Sequence, residues 1–298
     1  MSEFWHAFSR EKNDQQYNPT LWTKRLPAEE LLPAHIAYTQ EKSTLYRAKG
    51  VDSLAFGEGE FSGSIDIFRS AAVPANAPVV VYIHGGWWQW FSKEQFSYLA
   101  EPFNNRGFAV YMPGYCMAPD WHNDAPMESI VKQMQYALAA ILNQAEEHAA
   151  PAVYLVGHSA GGQLVTMLQH TNWQQFDVSE TAAKKLKGIF SLAGLYDIRP
   201  LVDSFVNDDI KMSLASAASV SPQLLPLAEQ ECPVHLLLPE FDTPEFFRQT
   251  KEYQQKLLAE GHSCYLKLAE NRDHLDVIEK LVESEDEIMN YLLSHMQD

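Results

Sequence analysis

The chain has 298 residues, with 22 basic against 39 acidic side chains for a formal net charge of −17, and is 46% hydrophobic and 20% charged. This is globular rather than disordered composition, and the acidic surplus excludes nucleic acid and anionic membrane as main partners. Apolar runs such as 78–83 and 137–142 are too short to span a bilayer, and the opening stretch MSEFWHAFSREKNDQQY lacks a basic region followed by an apolar core, so neither a membrane helix nor a secretory signal is expected.

Residues 1–60 hold Trp5, Tyr17, Trp22, Tyr38 and Tyr46 among charges and are interrupted by Pro19, Pro27 and Pro33. They read as short helices and turns lying over a larger body, 61–298, the two together forming one domain over 1–298. The body opens with the alternating strand candidate Ser64–Arg69. Continuous apolar runs follow at Val79–Ile83, Phe108–Met112, Val153–Gly157, Gly188–Ala193, Val234–Pro239 and Ser263–Leu268, as expected of strands covered on both faces. Helical periods lie between and after them: Ile130, Met134, Ala137, Leu138, Ile141 and Ala145; then Phe246, Thr250, Tyr253 and Leu257, stopped by Gly261; then Leu275, Ile278, Leu281, Val282, Ile288 and Leu292. Strands alternating with helices predict an α/β fold, with a mostly parallel central sheet, helices on both faces and the N-terminal segment packed over it. The scattered cysteines Cys116, Cys232 and Cys264 lack CxxC spacing, so disulfides and structural zinc are not expected and a reducing cytoplasm is the default compartment.

Gly157-His158-Ser159-Ala160-Gly161 follows the strand VYLV and precedes the helical run GQLVTMLQH. This is G-x-S-x-G in its required context, a sharp strand–turn–helix that throws Ser159 clear as a nucleophile, with the helix N-terminus aimed at the site. His84-Gly85-Gly86-Trp87-Trp88 follows VVVYI. Its glycines let the backbone N–H groups of Gly85, Gly86 and Trp87, together with that of Ala160, surround a carbonyl oxygen gaining charge, forming an oxyanion hole. His84 reads as a brace for that loop.

Of eleven histidines, His274 is the preferred base. It follows the last strand, at the same sheet edge as Ser159; the alternative role is a polar residue at a helix start. His262 falls at the opposite edge, and His158 lies within the elbow with its ring directed away from the serine hydroxyl. Asp242 follows VHLLLPEF and is the preferred acid, with a helix N-cap as its alternative. The order Ser159, Asp242, His274 is that of the α/β-hydrolases.

These motifs resemble the kynurenine formamidase (arylformamidase) family of the α/β-hydrolases over nearly the whole chain. The matching segments are His84–Trp88, the elbow 157–161, Gly194-Leu195-Tyr196-Asp197-Ile198-Arg199-Pro200-Leu201, Asp242-Thr243-Pro244-Glu245-Phe246 with Arg248-Gln249, and Tyr17-Asn18-Pro19. Thr243 replaces the family's usual serine. The resemblance implies an α/β-hydrolase fold and hydrolysis of N-formyl-L-kynurenine to L-kynurenine and formate without a metal. A carboxylesterase for short acyl esters would show the same elbow and HGG loop. A non-catalytic small-molecule binder is disfavoured because all three triad candidates are present. Trp88, Tyr115 and Trp121 are the expected aromatic pocket residues, beside Trp87, Trp90 and Phe91; the alternative is that tryptophans pack the N-terminal segment onto the body. The stretch Asp120-Trp121-His122-Asn123-Asp124 reads as a solvated loop rather than a metal site. No cofactor is expected; the expected partner is a small-molecule substrate, and a homodimer is left open.

Overall fold

A computed structural model describes residues 8–121, 123–227 and 232–296; Trp5 and His122 lie outside the described residues. Eight strands form one sheet: β1 Asp52–Phe56, β2 Gly63–Phe68, β3 Val79–Ile83, β4 Ala109–Pro113, β5 Val153–His158, β6 Leu186–Leu192, β7 Val234–Phe241 and β8 Cys264–Asp273. Their spatial order is β1-β2-β4-β3-β5-β6-β7-β8. The β1–β2 and β2–β4 pairs are antiparallel and the rest parallel.

The pleat divides the sheet's apolar residues between two cores. Val79, Val81, Ile83, Val153 and Leu155 enter one cluster, whereas Val80, Tyr82, Tyr154 and Val156 enter the other. Burial on both faces explains why these strands read as unbroken apolar runs. The helix Pro126–Glu147 buries Ile130, Met134, Leu138 and Ile141, and the helix Pro244–Ala259 buries Phe246, Tyr253 and Leu257, as their periods require.

Three readings change. The edge strand β1 precedes the first strand expected; its sequence DSLAF is two polar residues followed by three apolar ones, shows no alternation, and buries only Phe56. The predicted C-terminal helix is divided into Asp276–Glu279, a 3₁₀ turn at Lys280–Val282, and Glu287–Ser294. The last of these starts anew because Asp286 caps it, accepting from the Met289 N–H at 2.7 Å. In the N-terminal segment, Pro33 does not end a helix: a single helix runs from Ala28 to Arg47 through it. Leu31, His35, Thr39, Ser43 and Tyr46 form its buried stripe, and this packing outweighs a cost of about 3 kcal/mol for an interior proline. No described helix is long and apolar enough to cross a membrane.

Candidate active site

Ser159 stands between β5 and the helix Ala160–Leu168 with φ 55° and ψ −118°, a conformation that costs a non-glycine residue roughly 1–3 kcal/mol and persists only where its surroundings impose it. The flanking glycines allow the turn to close. A Cβ on Gly157 would stand 2.2 Å from the Gly161 carbonyl oxygen, and one on Gly161 would stand 2.0 Å from that of Ile83. The Ser159 N–H donates to the Leu192 carbonyl at 2.9 Å, tying the turn to β6.

His274 follows β8, and its Nδ1 lies 2.8 Å from Asp242 Oδ2, with both residues buried. Asp242 Oδ1 accepts from the Thr243 N–H at 2.7 Å. The cap of the following helix is Thr243 itself, whose hydroxyl accepts from the Phe246 N–H at 3.2 Å, so Asp242 is left to orient the imidazole. An ionised carboxylate only accepts hydrogen bonds, which places the proton on Nδ1 and leaves Nε2 of His274 as a lone pair. His158 is also engaged here: its Nε2 lies 2.7 Å from the His274 carbonyl oxygen. Burial holds the His158 imidazole well below the ordinary histidine range, with His274 close by adding to the effect. A neutral His158 donating from Nε2 pins the backbone of the proposed base.

The HGGWW loop is backbone-strained: Gly86, Trp87 and Trp88 all have positive φ, at 113°, 54° and 59°. Packing holds it there. Trp88 is fully buried and donates from Nε1 to Gln163 at 3.1 Å, and the N–H groups of Gln89 and Trp90 both donate to the Gly86 carbonyl. The N–H groups of Gly86 and Trp87 have no acceptor among the described residues. Gly85 abuts the elbow so closely that a Cβ there would lie 2.9 Å from that of Ser159. Ala160 opens its helix, so its N–H has no partner within the helix. His84 braces the loop, as its position after β3 suggested. Its ring stacks on Tyr115 at 4.4 Å, its Nδ1 meets the Gly85 carbonyl at 2.7 Å, and burial pushes its pKa down to about 4.

Ser159, His158 and His274 open on a cavity of about 320 Å³ whose apolar wall includes Trp87, Trp90, Phe91, Phe96 and Phe205. Trp88, Tyr115 and Trp121, the pocket residues expected from the sequence, do not line it. The positive φ values turn Trp88 inward to Gln163, Tyr115 lies behind His84, and Trp121 packs near Phe61 with its Nε1 donating to the Cys116 carbonyl at 3.2 Å. The remaining wall comes from the N-terminal segment, through Asn18, Thr20, Glu29, Leu32 and His35.

That segment is fastened to the body by a polar network that sequence reasoning missed. Arg25 pairs with Asp273 at 2.7 Å and with Glu279 at 2.8 Å, Thr23 donates to Asp273 at 2.6 Å, and His35 Nδ1 lies 2.7 Å from Glu279. Asp273 also accepts from the N–H groups of Leu275 and Asp276, shaping the turn that carries His274. The one signal in the sequence is a histidine on the buried stripe of the Ala28–Arg47 helix, between Leu31 and Thr39.

A family model described as BD-FAE matches residues 65–232. Over 98% of its length the chain is 31% identical to kynurenine formamidase of Danio rerio, covering 96% of that protein, and 30% identical to kynurenine formamidase of Salmo salar, covering 98% of it. Among solved structures, esterase B of Lactobacillus rhamnosis superposes with a TM-score of 0.64 at 18% identity, over 91% of this chain and 96% of that one.

Proposed function

Because the chain belongs to the kynurenine formamidase family of α/β-hydrolases, we propose that it is a serine hydrolase converting N-formyl-L-kynurenine to L-kynurenine and formate. The observation that carries this reading is the buried Asp242–His274 pair opening, with Ser159, on an aromatic-walled cavity. Ser159 Oγ attacks the formyl carbon while His274 Nε2 takes its proton, and Asp242 stabilises the imidazolium formed. The oxyanion is received by N–H groups of the Gly85–Trp87 loop and Ala160, each such donor typically contributing about 3–4 kcal/mol to the transition state. His274 then protonates the departing nitrogen, which releases the arylamine. Water, activated by the same imidazole, hydrolyses the formyl-enzyme to formate.

An anilide nitrogen shares its lone pair with the ring, so it leaves more easily than an alkyl amide nitrogen, and the ortho ketone strengthens this. The three free cysteines support a reducing, cytoplasmic compartment. The test is formate release from N-formylkynurenine, beside hydrolysis of its N-acetyl analogue and of p-nitrophenyl acetate. Formylkynurenine is expected to show the highest kcat/KM of the two amides. Ready cleavage of the ester with no formate from formylkynurenine would replace the formamidase by a short-chain carboxylesterase.

A further inference from the structure

The residues lining the catalytic cavity include Glu29, His35, His158 and His274 but neither lysine nor arginine. His274 is used as the base and His158 is spent on the His274 carbonyl. His35 remains, a second histidine–carboxylate pair in the same cavity. Its Nδ1 is held by Glu279 at 2.7 Å, which leaves Nε2 as the ring's uncommitted nitrogen. With Nδ1–H donating to the carboxylate, that nitrogen is a lone pair and can only accept.

The charges behind His35 point the same way. Asp273 and Glu279 are two carboxylates, held ionised by hydrogen bonds from Thr23, Arg25 and His35 against the opposing effect of burial, and they face the single guanidinium of Arg25. One negative charge is left over. Glu29 lies six residues before His35 on the same helix, lines the cavity, and has no ion-pair partner among the described residues. Phe91 lines the same cavity with its ring centroid 6.0 Å from that of His35, and an aromatic face attracts a cation. A carboxylate entering here would meet neutral donors such as the Asn18 amide and an unfavourable field; an ammonium would meet an acceptor, an anion and an aromatic ring.

We propose that the wall formed by the Ala28–Arg47 helix is an ammonium-recognition subsite, in which His35 Nε2 accepts from a primary ammonium on the substrate's side arm and Glu29 supplies the attracting charge. The site therefore selects aryl formamides by their amine rather than by their carboxylate. This rests on the formamidase reading, and the experiment separates the two. Formate release is measured at pH 8 from three formanilides that share the ortho ketone: N-formylkynuramine, with an ammonium arm; 2-formamidopropiophenone, with a neutral arm; and 4-(2-formamidophenyl)-4-oxobutanoate, with a carboxylate arm. The expected order of kcat/KM is ammonium, neutral, carboxylate, with the first exceeding the second by about tenfold, as a charge-assisted hydrogen bond provides. His35→Leu and Glu29→Gln each reduce that ratio several-fold, chiefly by raising KM for the ammonium substrate. Glu30→Gln, a change on the exposed side of the same turn, keeps the ratio. Glu29 is itself exposed, so its variant reports even where His35→Leu fails to fold. Formate from all three substrates without this order, or a ratio unmoved by Glu29→Gln, overturns the subsite alone. N-formylkynurenine is run alongside: formate from it with none from N-formylkynuramine overturns the subsite alone, and no formate from either overturns the formamidase reading and the subsite with it.

Discussion

Replacing Asp242 by asparagine removes one charge and leaves the shape of the site in place. The 2.8 Å contact to His274 Nδ1 joins two buried side chains. An imidazolium forming in the transition state loses its counter-charge. With charge centres about 4 Å apart and an effective dielectric of about 20, that charge is worth about 4 kcal/mol. At about 1.4 kcal/mol per decade, the Coulombic loss alone is about a thousandfold in rate. The tautomer adds to this. The amide can turn its NH₂ toward Nδ1, which moves the ring proton to Nε2 and removes the acceptor that must receive the serine proton; charge and tautomer together cost about 10⁴-fold in a serine triad. Asp242→Asn is therefore expected to lower kcat for formate release by three to four orders of magnitude, with KM changed little. A thermal melt run in parallel establishes that the variant is folded. The competing carboxylate is Asp273, adjacent to His274 but facing Thr23 and Arg25. If Asp242→Asn stays within tenfold of wild type while Asp273→Asn is severely impaired, the acid has been misassigned.

Gly85→Ala places a methyl group 2.8 Å from the His158 carbonyl oxygen and 2.9 Å from Ser159 Cβ. Overpacking of this kind costs about 1–3 kcal/mol, read as a lowered Tm, and the displaced serine makes kcat fall by more than the stability loss explains; an unchanged kcat refutes the placement of the loop. Stability should also fall as pH drops below the ordinary histidine range. His84 stays neutral in the folded protein down to about 4, its pKa depressed by burial, whereas the unfolded chain takes up the proton below about 6.5. Stabilisation is thus full above 6.5 and is lost on descending toward 4. His84 alone contributes about 2–3 kcal/mol of that loss between pH 7.5 and 4.5, and His158 adds in the same direction. Urea unfolding at the two pH values measures it, and equal stability at both contradicts the buried neutral histidines. Tyr17→Phe removes the 2.8 Å hydrogen bonds to Glu245 and from Gln249 in a fully buried setting, at a cost of about 1–3 kcal/mol. A melt within a degree of wild type would show that Tyr17 does not anchor the N-terminal segment.

The sheet was legible because burial on both faces writes itself as continuous apolar runs: β3 and β5 begin where Val79 and Val153 placed them. The positions of Ser159, Asp242 and His274 were legible because each follows a parallel strand, and strand ends at one sheet edge converge. What the pattern could not supply is the direction of loop side chains. Trp87 and Trp88 are neighbours of one type, yet successive positive φ values send one to the cavity and the other into the core. Nor does local sequence announce the Arg25–Asp273–Glu279–His35 network, whose members are joined across separations of 248, 254 and 244 residues. Long-range ion pairing has no periodicity to read. Pro33 misled because a local rule was overridden by the packing of Leu31, His35 and Thr39.

The fastening of the N-terminal segment also bears on how the protein is made. Asn13, Tyr17, Arg25 and His35 leave the ribosome long before their partners Pro200, Glu245, Asp273 and Glu279. The helix Ala28–Arg47 can form early, but its wall of the cavity has nothing to close against until β8 and the turn after it have been synthesised. Closing so long a loop costs little extra free energy per added residue, since the entropy grows only logarithmically, but contacts of such separation are slow to find. The cavity wall is consequently among the last parts of the structure that the nascent chain can complete. In refolding, the far-ultraviolet signal of sheet and helices should recover before the ability to tell one formanilide from another.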